Sequence, residues 1–438
     1  MSALARFLNQ QGCQVSGYDR VRSRLCEQLE DEGVRINYKD TLDSIIDLDK
    51  NDTLVVYTPA IPKTHQQLSY FQEEGFELIK RAKLLGQITP SQGILAISGT
   101  HGKTTASCIL AHILNGTSKG CNAFLGGIAV ATNSNLYSSS SAEWTVIEAD
   151  EFDRSFHHLA PTHSIVTSTD PDHLDVYQTE EKFLEAFEMF AGKVSGKTIA
   201  ANGVKNLASV DEYYGIGSGE LEHFAFEIEH HSKGQKCKIS LGGGQMILGN
   251  IDLPMFGGHN LENAVGAAAL AFYAGANAEE ITNGLNTFPG VYRRFQIHTN
   301  TPAITYIDDY AHHPTEIKKA IEGVRNHFPE KKLIVIFQPH LYSRTTDQLT
   351  GFCEELSQAD ELILLPIYPA RELPIEGVNT QLILNNISHP SAKLSTKNSI
   401  FENLKVDSPC VILSLGAGDI DQLIPALCEF TASYQASQ

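Results

Sequence analysis

The chain has 438 residues, more than one ordinary hydrophobic core can organise, so two or three domains are expected. It carries 52 acidic against 33 basic side chains, a formal net charge of −19. A surface of that sign repels polyanions, which argues against a nucleic-acid or membrane-surface binder but still allows a local phosphate pocket. No stretch approaches the roughly 20 apolar residues of a membrane-spanning helix, so a soluble globular protein is predicted.

The eight cysteines are scattered, and none belongs to a Cys-x-x-Cys pair. A zinc ribbon or a disulfide framework needs closer, paired spacing, so reduced and mostly buried thiols are expected. The N-terminal sequence MSALARFLNQQG has an amphipathic helical pattern and lacks the long apolar run of a signal peptide. These features together predict a cytoplasmic protein.

Apolar strand-like runs alternate with helical patterns along nearly the whole chain, which favours an α/β fold with parallel sheets. A first block, 1–90, is predicted to hold a helix at 2–11, strands at 14–17 and 53–58, a helix at 65–74 and a connecting segment at 81–92.

The second block, 91–289, opens with an apolar strand at 94–97. It is predicted to continue with strands at 144–147 and 164–167, a helix at 180–191, a Gly-rich β segment from about 237 to 256 and a helix at 261–273. The third block, 290–438, is predicted to hold strands at 304–307, 333–337, 361–365 and 411–415, each followed by a loop and mostly by a helix.

The strongest local signal is a glycine- and threonine-rich loop between the strand at 94–97 and a helix predicted at 106–114. It reads Gly99-Thr100-His101-Gly102-Lys103-Thr104-Thr105. The N–H groups and the dipole at a helix N-terminus favour a phosphate there. Lys103 can reach the β- and γ-phosphates of a nucleotide, and the hydroxyl of Thr104 can bind Mg²⁺. The alternative is an ordinary strand–turn–helix with an exposed lysine.

An acidic segment follows the strand at 144–147 and contains Glu148, Asp150, Glu151 and Asp153. Because these carboxylates repel one another, a cation is expected among them, and Mg²⁺ prefers such oxygen ligands. A solvated acidic loop is the alternative. The magnesium interpretation gains support from the next predicted strand, which leads into a second polar run, Asp170-Pro-Asp172-His173.

The spacing Gly-x-x-Gly-Lys-Thr-Thr resembles the ATP loop of the Mur ligase family, which also includes the folylpolyglutamate synthetases. In that family an acid at the strand end and the histidine of an Asp-His pair bind magnesium, and the matching residues are Glu148 and His173. Several members carry a carbamylated lysine on the next helix, but no lysine stands near Glu188, so no carbamate is expected. The resemblance therefore implies ATP and Mg²⁺ as cofactors, with Ser155 at the substrate.

Two further segments match the family around the end of the second block. The run Gly257-Gly-His259-Asn260-Leu-Glu-Asn263-Ala follows the pattern Gly-x-His-Asn-x-x-Asn-Ala. The resemblance places Asn263 near the adenine with His259 close by, while Asn260 could instead cap the helix. The family arginine directly before a phenylalanine, here Arg294, crosses from the domain junction to the γ-phosphate. Its guanidinium can neutralise charge that develops during phosphoryl transfer.

The loop after the strand at 304–307 contains Asp309, Tyr310 and His312. Its Asp and His residues could form a metal site, and Pro314 at a helix start also fits a capped strand-to-helix loop. The resemblance implies that Asp309 contacts the ribose, whereas Tyr310 and His312 approach an amino acid.

A second such loop, after the strand at 333–337, contains His340 and Arg344, which are also expected at the substrate. A cationic Arg344 suits a substrate carboxylate or a transition-state phosphate. Many relatives have arginine where this chain has Leu341, so one expected positive contact is missing. Further matches at 368–375 and 415–420 extend the resemblance over almost the whole chain.

The L-alanine-adding branch of the family normally begins with a strand and Gly-x-Gly-Gly-x-Gly, which run directly into Met-Ser-x-Leu-Ala. Residues 1–5 match only the end of that motif. The glycine loop lets the backbone approach a pyrophosphate, here that of UDP. We therefore expect a first sheet without its first strand and weak UDP binding. The missing strand and glycine loop have two possible explanations. One is a misassigned start codon or a shortened chain, and the other is a genuine protein with a defective UDP site.

The resemblance implies three domains: a Rossmann-like UDP-sugar-binding domain (1–90), a central P-loop-type ATP-binding sheet (91–289) and a Rossmann-like amino-acid-binding domain (290–438). The implied reaction phosphorylates the carboxylate of UDP-N-acetylmuramate and joins it to L-alanine for peptidoglycan synthesis, with His312 as candidate base. A monomer or weak homodimer is expected. The alternatives are a Mur-type ligase for murein-peptide recycling or for folylpolyglutamate, and a nucleotide-binding protein without ligase turnover.

Overall fold

The computed structural model of the chain describes residues 1–58, 61–62, 64–88, 93–171, 174–204, 207–217, 219–231, 233–370, 372–406 and 409–436. The chain divides into two compact units. The first comprises Met1–Phe226, Lys238–Ile251 and Glu262–Phe288, and the second comprises Glu227–Cys237, Asp252–Leu261 and Pro289–Gln438.

The described residues up to 88 form two separate pairs of short parallel strands, β1–β2 and β3–β4, with four helices. The elements are α1 (Ser2–Gln10), β1 (Ser16–Tyr18), α2 (Arg24–Asp31), β2 (Arg35–Asn37), β3 (Leu54–Tyr57), α3 (Gln66–Glu73), β4 (Glu77–Lys80) and α4 (Arg81–Ile88). Ala3 and Leu4 on α1 pack in one core cluster with Phe124 and Leu136 of the following region.

The next region is built on a ten-stranded sheet. Its elements are β5 (Gly93–Ser98), α5 (Lys103–Asn115), β6 (Cys121–Ala129), β7 (Ser134–Tyr137), β8 (Trp144–Glu148), a 3₁₀ helix (Phe152–His158), β9 (His163–Val166), α6 (Leu174–Tyr177), α7 (Glu180–Ala191), β10 (Thr198–Ala201), β11 (Glu212–Ile216), β12 (His223–His231), β13 (Gly234–Leu241), β14 (Met246–Leu253), α8 (Gly258–Tyr273) and α9 (Ala278–Thr287).

The strand order in this sheet is β14-β13-β12-β11-β10-β9-β5-β8-β6-β7. Strand β5 pairs in parallel with β8 on one side and with β9 on the other. The loops that follow these three strands therefore leave the sheet at the same edge. This arrangement brings the glycine–lysine–threonine loop, the acidic segment and the residues after β9 together.

The last region contains a six-stranded sheet in the order β15-β16-β20-β17-β18-β19. Its elements are β15 (Gln296–Asn300), β16 (Ile304–Asp309), α10 (Pro314–His327), β17 (Lys332–Phe337), α11 (Tyr342–Asp347), α12 (Leu349–Leu356), β18 (Glu361–Leu364), α13 (Thr380–Asn386), β19 (Ala392–Leu394), a 3₁₀ helix (Lys397–Ser399), α14 (Ile400–Asn403), β20 (Cys410–Leu415), a 3₁₀ helix (Asp419–Leu423) and α15 (Ile424–Ala436). Strands β16, β20, β17 and β18 run parallel, so their following loops share one edge.

Most predicted elements are confirmed within two residues, and four segments differ. The predicted connecting segment is helical over Arg81–Ile88, and the β-rich excursion begins at β11 and not near residue 237. Helices α5 and α8 each begin three residues earlier than predicted, at Lys103 and Gly258. Because α8 starts earlier, Asn260 lies inside the helix. Its side-chain amide donates to the carbonyl of Phe256 at 2.8 Å, so the interpretation of Asn260 as an N-cap acceptor is wrong.

Burial of the cysteines agrees with the prediction, since five of the eight are buried. Within the described parts of the chain, no helix is both long enough and apolar enough to cross a membrane.

Candidate active site

The loop between β5 and α5 has a backbone that only glycine adopts readily at two positions. Gly99 and Gly102 have φ of 127° and 84°. A Cβ at Gly99 would lie 2.2 Å from the hydroxyl of Thr167, and one at Gly102 would lie 2.5 Å from Oδ1 of Asn263. The two glycines thus let the loop pack closely against its neighbours and turn into the helix that begins at Lys103.

Residues after β9 fix the first half of this loop. The backbone N–H of Thr100 donates to the carbonyl of Ser168 at 3.1 Å, and that of His101 donates to the Ser168 hydroxyl at 2.8 Å. The Thr100 hydroxyl donates to the carbonyl of Asp170 at 2.7 Å. The N–H groups of Thr100 and His101 are therefore occupied within the protein, which leaves the N-terminus of α5, from Gly102 to Thr105, as the part best suited to phosphate.

Lys103 lies largely out of solvent at this N-terminus, with its side chain 13% exposed, and pairs with a glutamate of the acidic segment. Its Nζ donates to both carboxylate oxygens of Glu151 at 2.9 and 2.7 Å and to the carbonyl of Gly99 at 2.5 Å. Burial opposes the charge on Lys103, but the carboxylates of Glu151, Asp150 and Glu148 outweigh burial and raise the pKa of Lys103. The ammonium group of Lys103 therefore lies among these carboxylates, and the predicted magnesium ion stays a prediction.

Thr104 and Glu148 meet beside the loop. The Thr104 hydroxyl donates to Oε1 of Glu148 at 2.9 Å, and the backbone N–H of Gly126 donates to Oε2 at 2.8 Å. A Cβ at Gly126 would lie 2.5 Å from this carboxylate, so glycine is needed for the approach. A hydroxyl and a carboxylate held together at a helix N-terminus are the oxygen donors that Mg²⁺ uses with a nucleotide.

The other residues predicted for the nucleotide, the substrate and the metal lie on several elements. Asn263, on α8, lies directly against Gly102, and Thr105 is buried in the first turn of α5. Ser155 lies in the 3₁₀ helix that follows the acidic segment. The predicted ligand His173 lies outside the described residues.

In the second unit, Asp309 and Tyr310 hold the turn that carries Arg294. The Asp309 carboxylate accepts the backbone N–H groups of Phe295 at 2.6 Å and Ala311 at 2.7 Å. The Arg294 guanidinium lies 5.0 Å from the centre of the Tyr310 ring, a cation–π distance. Burial raises the pKa of Asp309 to about 6.

His312, His340 and Arg344 lie together at the carboxyl ends of β16 and β17. The rings of His312 and His340 are 5.8 Å apart, and Arg344 approaches Nδ1 of His340 at 3.5 Å. Nδ1 of His312 lies 2.9 Å from the carbonyl of Tyr310, which favours a proton on Nδ1 and leaves Nε2 as the basic nitrogen. Burial lowers the pKa of His312, so its imidazole is neutral near pH 7.

A cavity of about 380 Å³ opens at the same edge of the six-stranded sheet. Among its lining residues are Gln338, Tyr368, Lys397 and Asp419, which follow β17, β18, β19 and β20. Crevices at the carboxyl ends of parallel strands are where open α/β sheets bind ligands.

Sequence reasoning missed several residues that organise these sites. Glu151 is one of four carboxylates in the acidic segment, and nothing in the sequence distinguishes it from the others; Ser168 carries no signal in the sequence. In the second unit, the pattern of an arginine before a phenylalanine indicates Arg294 and not Arg293. Glu372, whose carboxylate accepts the N–H of Ser343 at 3.0 Å, lies in the matching segment 368–375 without a predicted role. An acidic residue three positions beyond a metal-type glutamate could have indicated a lysine partner, but nothing local indicates the others.

An α/β protein with a strand–loop–helix phosphate site, and with a second cluster of histidine and arginine on another parallel sheet, belongs to the class of nucleotide-dependent transferases and ligases. The comparison with known proteins is more specific. The domains described as "Mur ligase family, catalytic domain", "Mur ligase middle domain" and "Mur ligase, glutamate ligase domain" match residues 1–92, 97–271 and 293–418. The chain belongs to the Mur ligase family.

The chain is also similar to individual members of that family. It is 42% identical to the UDP-N-acetylmuramate–L-alanine ligase of Phocaeicola vulgatus, over 98% of this chain and 95% of the relative. The enzyme of the same name from Porphyromonas gingivalis is 42% identical over 97% and 95%. The crystal structure of the UDP-N-acetylmuramate–alanine ligase of Thermotoga maritima superposes with a TM-score of 0.83 at 25% identity, covering 100% of this chain and 97% of that one.

Proposed function

We propose that this chain is an ATP-dependent ligase that joins L-alanine to the carboxylate of UDP-N-acetylmuramate. The observation that carries the proposal is the 42% identity, over 98% of the chain, to an enzyme named for that reaction. The Lys103, Thr104 and Glu148 arrangement supports it, because it supplies the groups that a nucleotide-dependent acyl activation needs.

The residues beside the loop fit magnesium and ATP. Thr104 and Glu148 would hold Mg²⁺, with His173 as the third expected ligand, and the metal would neutralise charge on the phosphates. Gly102, Lys103 and Thr105 would bind the phosphates at the helix N-terminus. Asn263 lies beside Gly102 and is therefore suitably placed to contact the nucleotide at its phosphate end. The contact with the adenine that the family resemblance implies stays a prediction.

The reaction proceeds in two chemical stages. An oxygen of the lactyl carboxylate attacks the γ-phosphorus of ATP, the bond to the β-γ bridging oxygen breaks, and an acyl phosphate and ADP form. Lys103 and Arg294 stabilise the negative charge on the transferred group. The amine of L-alanine then attacks the acyl carbon, phosphate leaves with the carbon–oxygen electron pair, and the amine loses a proton.

The second unit supplies the groups for the second stage. His312 would accept the amine proton at Nε2, since its Nδ1 lies against the Tyr310 carbonyl and burial keeps its pKa low. Arg344 would bind the carboxylate of L-alanine, with His340 and Tyr310 beside it. We also propose the domain assignment 1–90 for the sugar nucleotide, 91–289 for ATP and 290–438 for the amino acid, and a cytoplasmic location.

Phosphate release tests this function. The chain is incubated with UDP-N-acetylmuramate, ATP and Mg²⁺, and single amino acids or peptides are added. L-Alanine is expected to stimulate phosphate release and to yield a product heavier than the sugar nucleotide by one alanine residue. Stimulation by a murein tripeptide or by glutamate, but not by L-alanine, would overturn the choice of acceptor.

A ligase for a murein peptide is the second candidate, because the murein peptide ligase of Psychrobacter arcticus shares the fold with a TM-score of 0.69. A nucleotide-binding protein without turnover would bind ATP and release no phosphate with any acceptor. Matched reactions with and without the sugar nucleotide separate these outcomes.

A further inference from the structure

Arg294 stands between two residues with left-handed backbone. Arg293 has φ of 59° and Phe295 has φ of 48°, conformations that residues other than glycine rarely adopt. The N–H of Arg294 donates back to the carbonyl of Val291 at 3.1 Å, which closes a tight turn. Such a backbone persists only where the surrounding structure holds it.

The side chain of Arg293 is what holds one side of this turn. It is 5% exposed. Its Nε donates to Oδ2 of Asp308 at 2.9 Å, its Nη2 to the carbonyl of Gly416 at 2.5 Å and its Nη1 to the carbonyl of Gly418 at 3.3 Å. A single planar guanidinium therefore joins the turn to strand β16 and to the loop after β20.

Asp308 is itself fixed from the other side. It is fully buried, and its Oδ1 accepts the hydroxyl of Ser414 at 2.6 Å. The adjacent Asp309 binds the N–H of Phe295, and the carbonyl of Arg293 accepts the N–H of Tyr310 at 2.7 Å. Two consecutive carboxylates thus anchor the residues on both sides of Arg294, whose own side chain stays partly exposed over Tyr310.

We propose that Arg293 is a positioning residue, which fixes where Arg294 and Tyr310 present their side chains during phosphoryl transfer. This inference rests on the proposed function. Lysine at position 293 keeps the charge but cannot make the three directed bonds of the guanidinium. The turn then loses its link to the Gly416–Gly418 loop, and Arg294 no longer has one defined position.

The test is a double-mutant cycle with Arg293→Lys and Arg294→Lys. Arg293→Lys alone is expected to lower kcat by about 10- to 100-fold, with a change of KM for ATP below about threefold, because misplacement acts on the transition state. In the Arg294→Lys background, adding Arg293→Lys is expected to lower kcat by less than about threefold. Equal losses in both backgrounds would overturn the inference and leave Arg293 a purely structural residue.

A matched control is Arg325→Lys. Arg325 also pairs with an aspartate, Asp360, at 3.0 Å and with a carbonyl, that of Gln358, but at the opposite end of the sheet. The Arg325→Lys substitution is expected to leave kcat unchanged, both alone and in the Arg294→Lys background. If Arg293→Lys does not fold, Ser414→Ala removes one bond to Asp308 and is expected to lower kcat by about threefold only when Arg294 is present.

Amide hydrogen exchange without substrates separates this inference from the proposed function. Exchange at Phe295 and Tyr310 is expected to be at least about tenfold faster in Arg293→Lys than in the parent chain. Unchanged exchange overturns the inference whatever the activity. Faster exchange in a chain that shows no ligase turnover would overturn the proposed function and support the anchoring of the turn.

Discussion

At the scale of single residues, the pairing of Lys103 with Glu151 makes the nucleotide site depend on a buried charge. The Glu151 side chain is 2% exposed and the Lys103 side chain 13% exposed. Breaking a buried pair on one side leaves an uncompensated charge, which costs about 3–5 kcal/mol, whereas removing both charges costs far less. We therefore expect the lysine to serve both the stability of the loop and the binding of phosphate.

Lys103→Met is expected to lower the free energy of unfolding by about 3 kcal/mol and to abolish phosphate release. Adding Glu151→Gln is expected to restore most of the stability and none of the turnover. Chemical denaturation and phosphate release measure the two effects. As a control, Lys197→Met breaks a partly exposed pair with Glu212 and is expected to cost less than about 1 kcal/mol. A double variant as unstable as Lys103→Met would contradict this account.

The proposed base His312 predicts a pH dependence of kcat. Burial lowers its pKa below the usual 6.5, so the neutral, basic form persists as the pH falls and is lost only below that value. The acidic limb of kcat is therefore expected to lie below pH 6.5. His312→Gln is expected to lower kcat by about 100-fold and to remove this limb. An unchanged limb in His312→Gln would assign the base to another group.

At the scale of elements, the phosphate site depends on how closely the turn before α5 approaches α8. Gly102→Ala adds a methyl group that meets Asn263. The backbone at this position is also left-handed, a conformation that alanine adopts only with strain. ATP affinity is expected to fall by about tenfold or more, the equivalent of roughly 1.4 kcal/mol. Gly75→Ala is the matched control, since Gly75 has φ of 76° with nothing near its Cβ position. Calorimetric titration with Mg-ATP compares the two, and equal affinities would show that the close approach is unimportant.

At the scale of the whole molecule, a buried arginine ties the start of the chain to the ten-stranded sheet. Arg6 is 3% exposed and donates to Glu32 at 2.8 Å and to Oδ1 of Asn135 at 2.6 Å. Asn135 in turn donates to the hydroxyl of Ser2 at 2.7 Å. Helix α1 is thereby part of the first compact unit through polar contacts as well as through Ala3 and Leu4.

Arg6→Ala is expected to destabilise the first unit by about 1–3 kcal/mol, because the buried Oδ1 of Asn135 loses its hydrogen-bond donor. Arg22→Ala breaks exposed ion pairs with Glu27 and Glu30 and is expected to cost less than about 0.5 kcal/mol. Scanning calorimetry measures both. A transition of the first unit that stays at the parent temperature in Arg6→Ala would refute the role of this contact.

The sequence by itself determined the α/β class, the phosphate loop and the family. Glycine spacing, strand burial and a helix start are local properties, so residues 94–105 specify the loop without the rest of the fold. Short or mixed segments such as Arg81–Ile88 were misread, because their helical pattern is too brief to stand out and is stabilised by packing.

Only the tertiary structure decided which side chains meet. Glu151 lies 48 residues from Lys103, and Gly418 lies 125 residues from Arg293. Their contacts follow from the strand order, which places β5 between β8 and β9, and β20 between β16 and β17. Strand order is set by the burial of whole sheets and by hydrogen bonds between strands distant in sequence. For this reason spacing along the chain could identify the phosphate loop but not the groups that hold Lys103 and Arg294 in place.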